Sequence, residues 1–194
     1  MQIKDFVKVY DNTVDPKFLK KFFQIKDYFL NPEKGRIGTN NNGAGSLNEN
    51  IRKVGVHFAF SNLHNKTKTE KHWNNFFVYV HRMAVKKYLS EVSKLKFDMS
   101  CMDLCYLNYK ESDHYAFHVD QSASDGRHLT ALYMVNDGYE GGELLITDPL
   151  NHDNHITVTP KAGRITVFPS NFMFPHQVNP VTNGERLSIV TWWR

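Results

Sequence analysis

The sequence predicts an α+β protein, mainly β, in which a sandwich or jelly roll is backed by N-terminal helices. Two segments with an apolar helical stripe fall before residue 97, and none falls after it. From residue 97 onward, about eight short apolar runs are separated by Gly, Asn, Asp and Pro turns. The 194 residues, 41% hydrophobic and 13% aromatic, suffice for a real core. The expected organisation is a single domain over 1–194, with helical support and a flexible loop in 1–96 and the β-rich core in 97–194.

Residues 3–10 alternate enough to be a strand. Asp15-Pro16 then reads as an N-cap followed by proline at the first helical position. The helix carries Phe18, Leu19, Phe22, Phe23, Phe29 and Leu30 on one stripe and stops at Asn31-Pro32. Residues 31–50 are rich in Gly and Asn with few apolar anchors, the composition of either a substrate lid or a plain loop. Strand character returns over 53–60, and the polar stretch after it connects to the longest helix, expected from Trp73 to about Val92. That helix is expected to turn Trp73, Phe76, Phe77, Val80, Met83, Ala84 and Tyr88 to the core, with His81 as a structural neighbour. The remaining strands are expected at 101–109, 115–120, 128–136, 142–147, 155–158, 164–168, 176–178 and 186–193. His152 and His155 fall in a polar hairpin.

No apolar run is long enough for a signal peptide or a membrane span, so the expected location is cytoplasmic. Cys101 and Cys105, four apart on one strand, should share a face roughly 13 Å apart, beyond disulfide reach. Net charge is +4, but residues 52–96 hold ten Lys/Arg against two Asp/Glu, whereas 97–194 hold six against twelve. The basic block reads as a solvated helix face, and the acidic C-terminal half argues against phosphate backbones crowding a site there.

The chemistry lies in YKESDHYAFHVD, residues 109–120. On a strand His118 and Asp120 point to the same face and can hold neighbouring positions on one metal ion. A facial triad needs a second histidine from a non-adjacent strand, and His176 in FPHQV fits. His128, eight residues after Asp120, flanks the site. Arg186 and Ser188 share a face of the last strand, where a guanidinium and a hydroxyl can grip a carboxylate.

These parts resemble an Fe(II)/2-oxoglutarate-dependent dioxygenase of the prolyl 4-hydroxylase-like family. The matching stretches are Tyr109 through HVD (118–120), RHLTALYMVND (127–137), GGELLI (141–146), KAGRITVFPS (161–170) and PHQVNPVTNGERLSIVTWW (175–193). The resemblance implies a double-stranded β-helix core, iron held by His118, Asp120 and His176, and 2-oxoglutarate held by Arg186, Ser188 and Tyr109. It puts Arg127 and Trp192 at the substrate and implies Fe(II), 2-oxoglutarate and O₂ as cofactors, with ascorbate dependence a further family expectation. The implied reaction hydroxylates a C–H bond, foremost a peptidyl proline, with release of succinate and CO₂. A carboxylate at Asp120 leaves no vacant position for halide and so favours hydroxylation over halogenation. Met134 stands where related enzymes often place a tyrosine as second carboxylate partner. The expected partner is a peptide or protein substrate, with neither membrane nor nucleic acid. The competing readings are a free amino-acid or small-molecule hydroxylase, a nucleic-acid demethylase of the same superfamily, and a non-catalytic jelly-roll binding module. The demethylases carry a second Arg six residues after the first, where this chain has Trp192.

Overall fold

Two antiparallel sheets face each other, and two long helices cover the outside of the larger one. The computed structural model describes residues 2–38, 45–61, 63–92, 99–121 and 126–194. In chain order the elements are β1 (Lys8–Tyr10), α1 (Pro16–Ile25), β2 (Glu33–Lys34), β3 (Arg52–Lys53), β4 (Gly55–Phe58), α2 (Lys68–Val92), β5 (Cys101–Tyr109), β6 (His114–His118), β7 (Leu129–Met134), β8 (Glu140–Gly141), β9 (Leu144–Asp148), β10 (Asn151–Val158), β11 (Arg164–Pro169), β12 (His176–Val178), β13 (Val181–Asn183) and β14 (Arg186–Trp193). The seven-stranded sheet runs β1-β11-β7-β14-β5-β4-β2 and the five-stranded sheet β10-β9-β12-β6-β3. This is the expected jelly roll, although the N-terminal half contributes four strands as well as the helices.

Both helices start where backbone donors find side-chain acceptors. Asp15 accepts from Lys17 N at 2.8 Å ahead of Pro16, as the sequence indicates. α1 ends at Ile25, before the expected Asn31-Pro32 stop. There a 3-10 turn at Lys26–Tyr28 draws Lys26 into the core, with its ammonium 3.3 Å from Glu185. α2 begins at Lys68, five residues earlier than expected. Thr67 Oγ1 accepts from Glu70 N and Glu70 Oε2 accepts from Thr67 N, a reciprocal capping box that sets the start. Residues 3–10 also differ from expectation. A 3-10 turn occupies Ile3–Asp5 and sends Ile3 into the interior, so only Lys8–Tyr10 pairs as strand, with β11.

Alternate residues of the large sheet feed two cores. Outward, Leu104, Tyr106, Tyr133, Ile165, Leu187 and Ile189 pack with Phe22, Phe77 and Tyr88 of the helices. Phe77 is the hub, 4.9 Å from the Phe22 ring and 5.8 Å from that of Tyr133. His81 is fully buried here, and its Nδ1 lies 2.7 Å from Phe77 O, which bears out its structural role. Inward, Val56, Leu107, Tyr109, Leu132, Met134, Phe168 and Val190 meet Leu144, Ile146 and Val178 of the smaller sheet.

Three local irregularities depart from the simple pattern. Met102 is bulged out of the β5–β14 pairing, because Trp192 faces Asp103 while Trp193 faces Cys101. The bulge reverses parity, so Cys101 joins the outer core and Cys105 the inner one, not one shared face. Both remain free thiols, and burial pushes Cys101 up to about 12. The strand expected over 53–60 switches sheets at Val54, with β3 pairing to β6 and β4 to β5. In the expected loop 31–50, β2 pairs with β4, and Ile37 bridges Ser46. Its middle, residues 39–44, where a lid would have its tip, lies outside the described residues. His152 and His155 are exposed on β10 and take no part in a metal-competent cluster among the described residues. No helix among these residues is long and apolar enough to cross a membrane.

Candidate active site

Between the two sheets, His118 at the end of β6, Asp120 just after it and His176 at the start of β12 bring one ligand atom each to within 4.8 Å of one another. His176 lies on β12, the strand next to β6 and not the non-adjacent strand expected, and pairs directly across from His118, so strand register itself sets their separation. Pairing in β6 is irregular between Tyr115 and His118, which puts both on the inner face. Their rings stack at 3.5 Å, and Arg52 lies over Tyr115 at 4.6 Å.

The hydrogen bonds fix which nitrogens are available. His118 Nδ1 lies 2.8 Å from Ala116 O and His176 Nδ1 lies 3.0 Å from Phe174 O, so both rings donate from Nδ1. Each Nε2 lone pair is thereby turned toward Asp120, at 3.6 and 3.5 Å. Two lone pairs facing a carboxylate are mutually repulsive unless a cation lies among them. The donor set therefore fits a divalent metal, and two imidazoles with one carboxylate match the facial triad of non-haem Fe(II) oxygenases. Burial opposes ionisation of Asp120, but His176, His118 and the Thr130 hydroxyl together hold its carboxyl well below the usual carboxylate range. Burial, with His118 beside it, pulls His176 down to about 4, so it is neutral and ready to ligate at neutral pH.

A relay orients the carboxylate. Thr130 Oγ1 donates to Asp120 Oδ2 at 2.7 Å, and with that proton committed, Ser170 must donate to Thr130, at 2.9 Å. Arg127 Nη1 donates to Asp120 O at 2.9 Å and stacks on the Trp192 ring at 4.0 Å.

The second half of the site is a buried, incompletely satisfied cation. Arg186 is fully buried, its Nη1 donates to Ser188 Oγ at 2.7 Å, and its Nε and Nη2 have no hydrogen-bond partner among the described residues. Tyr109 places its ring 4.7 Å from the guanidinium, with a buried, unpartnered hydroxyl. Tyr139, also buried with an orphan hydroxyl, lies within the electrostatic reach of Arg186. Burial raises both phenols against the pull of that charge, so both are available as donors. Gly142 keeps the space open. Its φ is +65°, and a Cβ there would lie 2.9 Å from Arg186 Cδ. A buried charge with two idle donors is costly to the folded state unless an anion meets it. A carboxylate supplies what the fork and the phenols lack.

Every residue singled out from sequence thus falls in this region: His118, Asp120 and His176 together, Arg186, Ser188 and Tyr109 together, and Arg127 with Trp192 at the mouth. His128 flanks it through backbone bonds to Trp193 and Ser170. Sequence reasoning missed Thr130, Ser170, Tyr115 and Tyr139. Met134, buried opposite Ser188, has no donor to offer, and Tyr139 is the phenol that reaches Arg186 instead.

The family profile of the 2OG-Fe(II) oxygenase superfamily matches residues 104–194. A PKHD-type hydroxylase of Alteromonas mediterranea is 32% identical over 98 residues, covering 45% of this chain and 41% of that protein. The chain thus spans well under two thirds of that relative's length. Among solved structures, a Pseudomonas putida prolyl-4-hydroxylase superposes with a TM-score of 0.67 at 19% identity, covering 98% of this chain and 92% of that one. A Trichoplax adhaerens prolyl hydroxylase, solved with a hypoxia-inducible-factor peptide fragment, gives a TM-score of 0.72 at 18% identity, covering 97% and 83%. Residues 104–194 are thus similar to the 2OG-Fe(II) oxygenase superfamily, and the chain as a whole has a fold shared with prolyl 4-hydroxylases.

Proposed function

We propose that the chain is an Fe(II)- and 2-oxoglutarate-dependent hydroxylase acting on a peptidyl proline, with release of succinate and CO₂. The observation that carries this reading is the pairing of a metal-competent His118–Asp120–His176 cluster with the buried, under-satisfied Arg186 in the same interior. The relatives and fold neighbours that bear the names of prolyl hydroxylases support it. In this reading the two Nε2 atoms and one Asp120 oxygen hold iron. Arg186, with Ser188, Tyr109 and Tyr139, anchors the far carboxylate of 2-oxoglutarate. Bound iron and 2-oxoglutarate together supply the oxidative chemistry that inserts one oxygen atom of O₂ into a C–H bond. The protein's part is position. Thr130 and Ser170 keep Asp120 in its rotamer, the backbone carbonyls keep both imidazoles on the Nε2 side, and the inner core excludes water from the reacting centre. Arg127 and Trp192 border the substrate, and the free thiols of half-buried Cys101 and buried Cys105 suit a reducing cytoplasmic setting.

The test is incubation with Fe(II), 2-oxoglutarate, ascorbate and proline-containing peptides. A peptide heavier by one oxygen atom, formed together with succinate, is the expected result. Succinate formation with every peptide unmodified would sink the prolyl assignment. Unchanged Fe(II)-dependent succinate formation in Asp120→Ala would sink the metal assignment.

A further inference from the structure

The mouth of the site carries a charge imbalance that the reaction itself does not need. A cleft opens onto Asp120 and is lined by Arg36, Arg52 and Arg127, with Tyr115, Phe58 and Trp192 as aromatic walls. The carboxylate in that lining is Asp120 itself, which faces the two histidines. Asp103 is within electrostatic reach of Arg127. Arg36 and Arg52 are held only by uncharged oxygens: Arg36 Nη1 donates to Gly45 O at 3.0 Å, and Arg52 Nη1 donates to Arg36 O at 2.7 Å. Neither makes an ion pair among the described residues, and Arg52 Nε is buried without a partner. Cations a few residues away are matched. Lys34 pairs with Glu49 at 2.6 Å and Lys53 with Asp113 at 3.4 Å. Carbonyls fix the position of a guanidinium but leave its charge intact, so the cleft keeps a positive field directed at whatever enters.

We infer that this cleft recognises a carboxylate on the substrate, close to the carbon that reacts, through Arg36 and Arg52 acting with Arg127. The inference rests on the hydroxylase reading and adds to it a substrate class: a segment with an acidic residue beside its target, or a free amino acid presenting its own carboxylate. The Arg52–Tyr115–His118 stack ties this recognition to the metal cluster, since the same Tyr115 ring carries Arg52 on its face and packs on His118. Rings flanking the arginines supply the apolar contact that a pyrrolidine would take.

The experiment is a titration of the full chain with a fluorescein-labelled peptide holding one proline between glutamates, alongside matched peptides with glutamines and with lysines. Binding is read before any 2-oxoglutarate is added, so a chain without oxygenase activity still supports or overturns the charge preference. The glutamate peptide is expected to bind roughly tenfold tighter than the lysine peptide, the sum of a few partly exposed charge pairs. The gap should shrink in high salt and in Arg52→Gln, and reverse in Arg36→Glu, whose exposed position leaves the fold unaffected. Displacement of the glutamate peptide by free proline assigns the carboxylate to an amino acid, and resistance to displacement assigns it to a peptide. Equal affinity for the three peptides, a preference for lysine, or tighter binding of a single-stranded oligonucleotide overturns the inference.

Discussion

Along β14, Leu187, Ile189 and Trp193 face the helices, while Arg186, Ser188, Val190 and Trp192 face the smaller sheet. β7 divides in the same way, with Ala131 and Tyr133 outward and Thr130, Leu132 and Met134 inward. Every one of these residues is buried, yet the two faces solve different problems. The outer face is hydrocarbon and aromatic ring, and Tyr106 donates to Asn74 at 2.9 Å and Trp193 to Thr191 at 2.8 Å there, although the Tyr133 hydroxyl has no partner among the described residues. Toward the interior and its mouth, donors and acceptors are left open on Tyr109, Tyr139, Arg186, Trp192 and Arg52. Close packing on one side allows the other to hold groups in a less favourable state until a ligand completes them.

Four measurements would break or sharpen that contrast. Phe77→Ala should have the largest effect, lowering stability by about 3–5 kcal/mol in denaturant melts, because it empties the hub of the outer core. Arg186→Met should behave oppositely. Calorimetric affinity for 2-oxoglutarate should fall roughly 30-fold or more, as expected when one member of a buried charge pair is removed. The ligand-free chain should meanwhile keep or gain stability, since an uncompensated buried charge is gone. A loss matching that of Phe77→Ala would erase the distinction between the faces.

The third measurement is a pH dependence on the outer side. Burial pulls His81 down to about 4 from its ordinary 6.5. Between those values the unfolded chain takes up a proton on this ring and the folded chain does not, so stability must fall as pH drops from about 6.5 to about 4. The contribution is about 3 kcal/mol in all, and urea midpoints across that window should show a shallower fall in His81→Gln. Smallest is Tyr139→Phe, which removes one phenolic donor near Arg186. It should weaken 2-oxoglutarate about fivefold with stability unchanged, the worth of a single hydrogen bond. No change in affinity would return Tyr139 to a packing role.

The residues that sequence could reach were those whose neighbours are set by parity along one strand. His118 with Asp120, and Arg186 with Ser188, needed only the two-residue period, and Asp15-Pro16 needed only the chemistry of a helix start. Thr67 and Glu70 were equally legible, since T-x-x-E before an apolar stripe is a capping box, and reading them would have moved the start of α2 to its true place. Other features depend on facts that no local window contains. Thr130 meets Asp120 because β7 and the end of β6 converge, and Tyr139 meets Arg186 because the chain after β7 turns back toward β14. The Met102 bulge and the sheet switch at Val54 break the very alternation from which faces are inferred, so Cys101 and Cys105 were bound to be misassigned.

The direct opposition of His118 and His176 has one more consequence. A slip of one residue between β6 and β12 would turn one imidazole to the far face, so a competent ligand set exists in a single alignment of those strands. Any divalent ion that binds there acts as a proofreader of strand alignment. At a concentration a hundred times its dissociation constant, it would favour the correct pairing by about 2.7 kcal/mol over every alternative that cannot bind it. Metal supply would then govern how faithfully the chain assembles as well as whether it turns over.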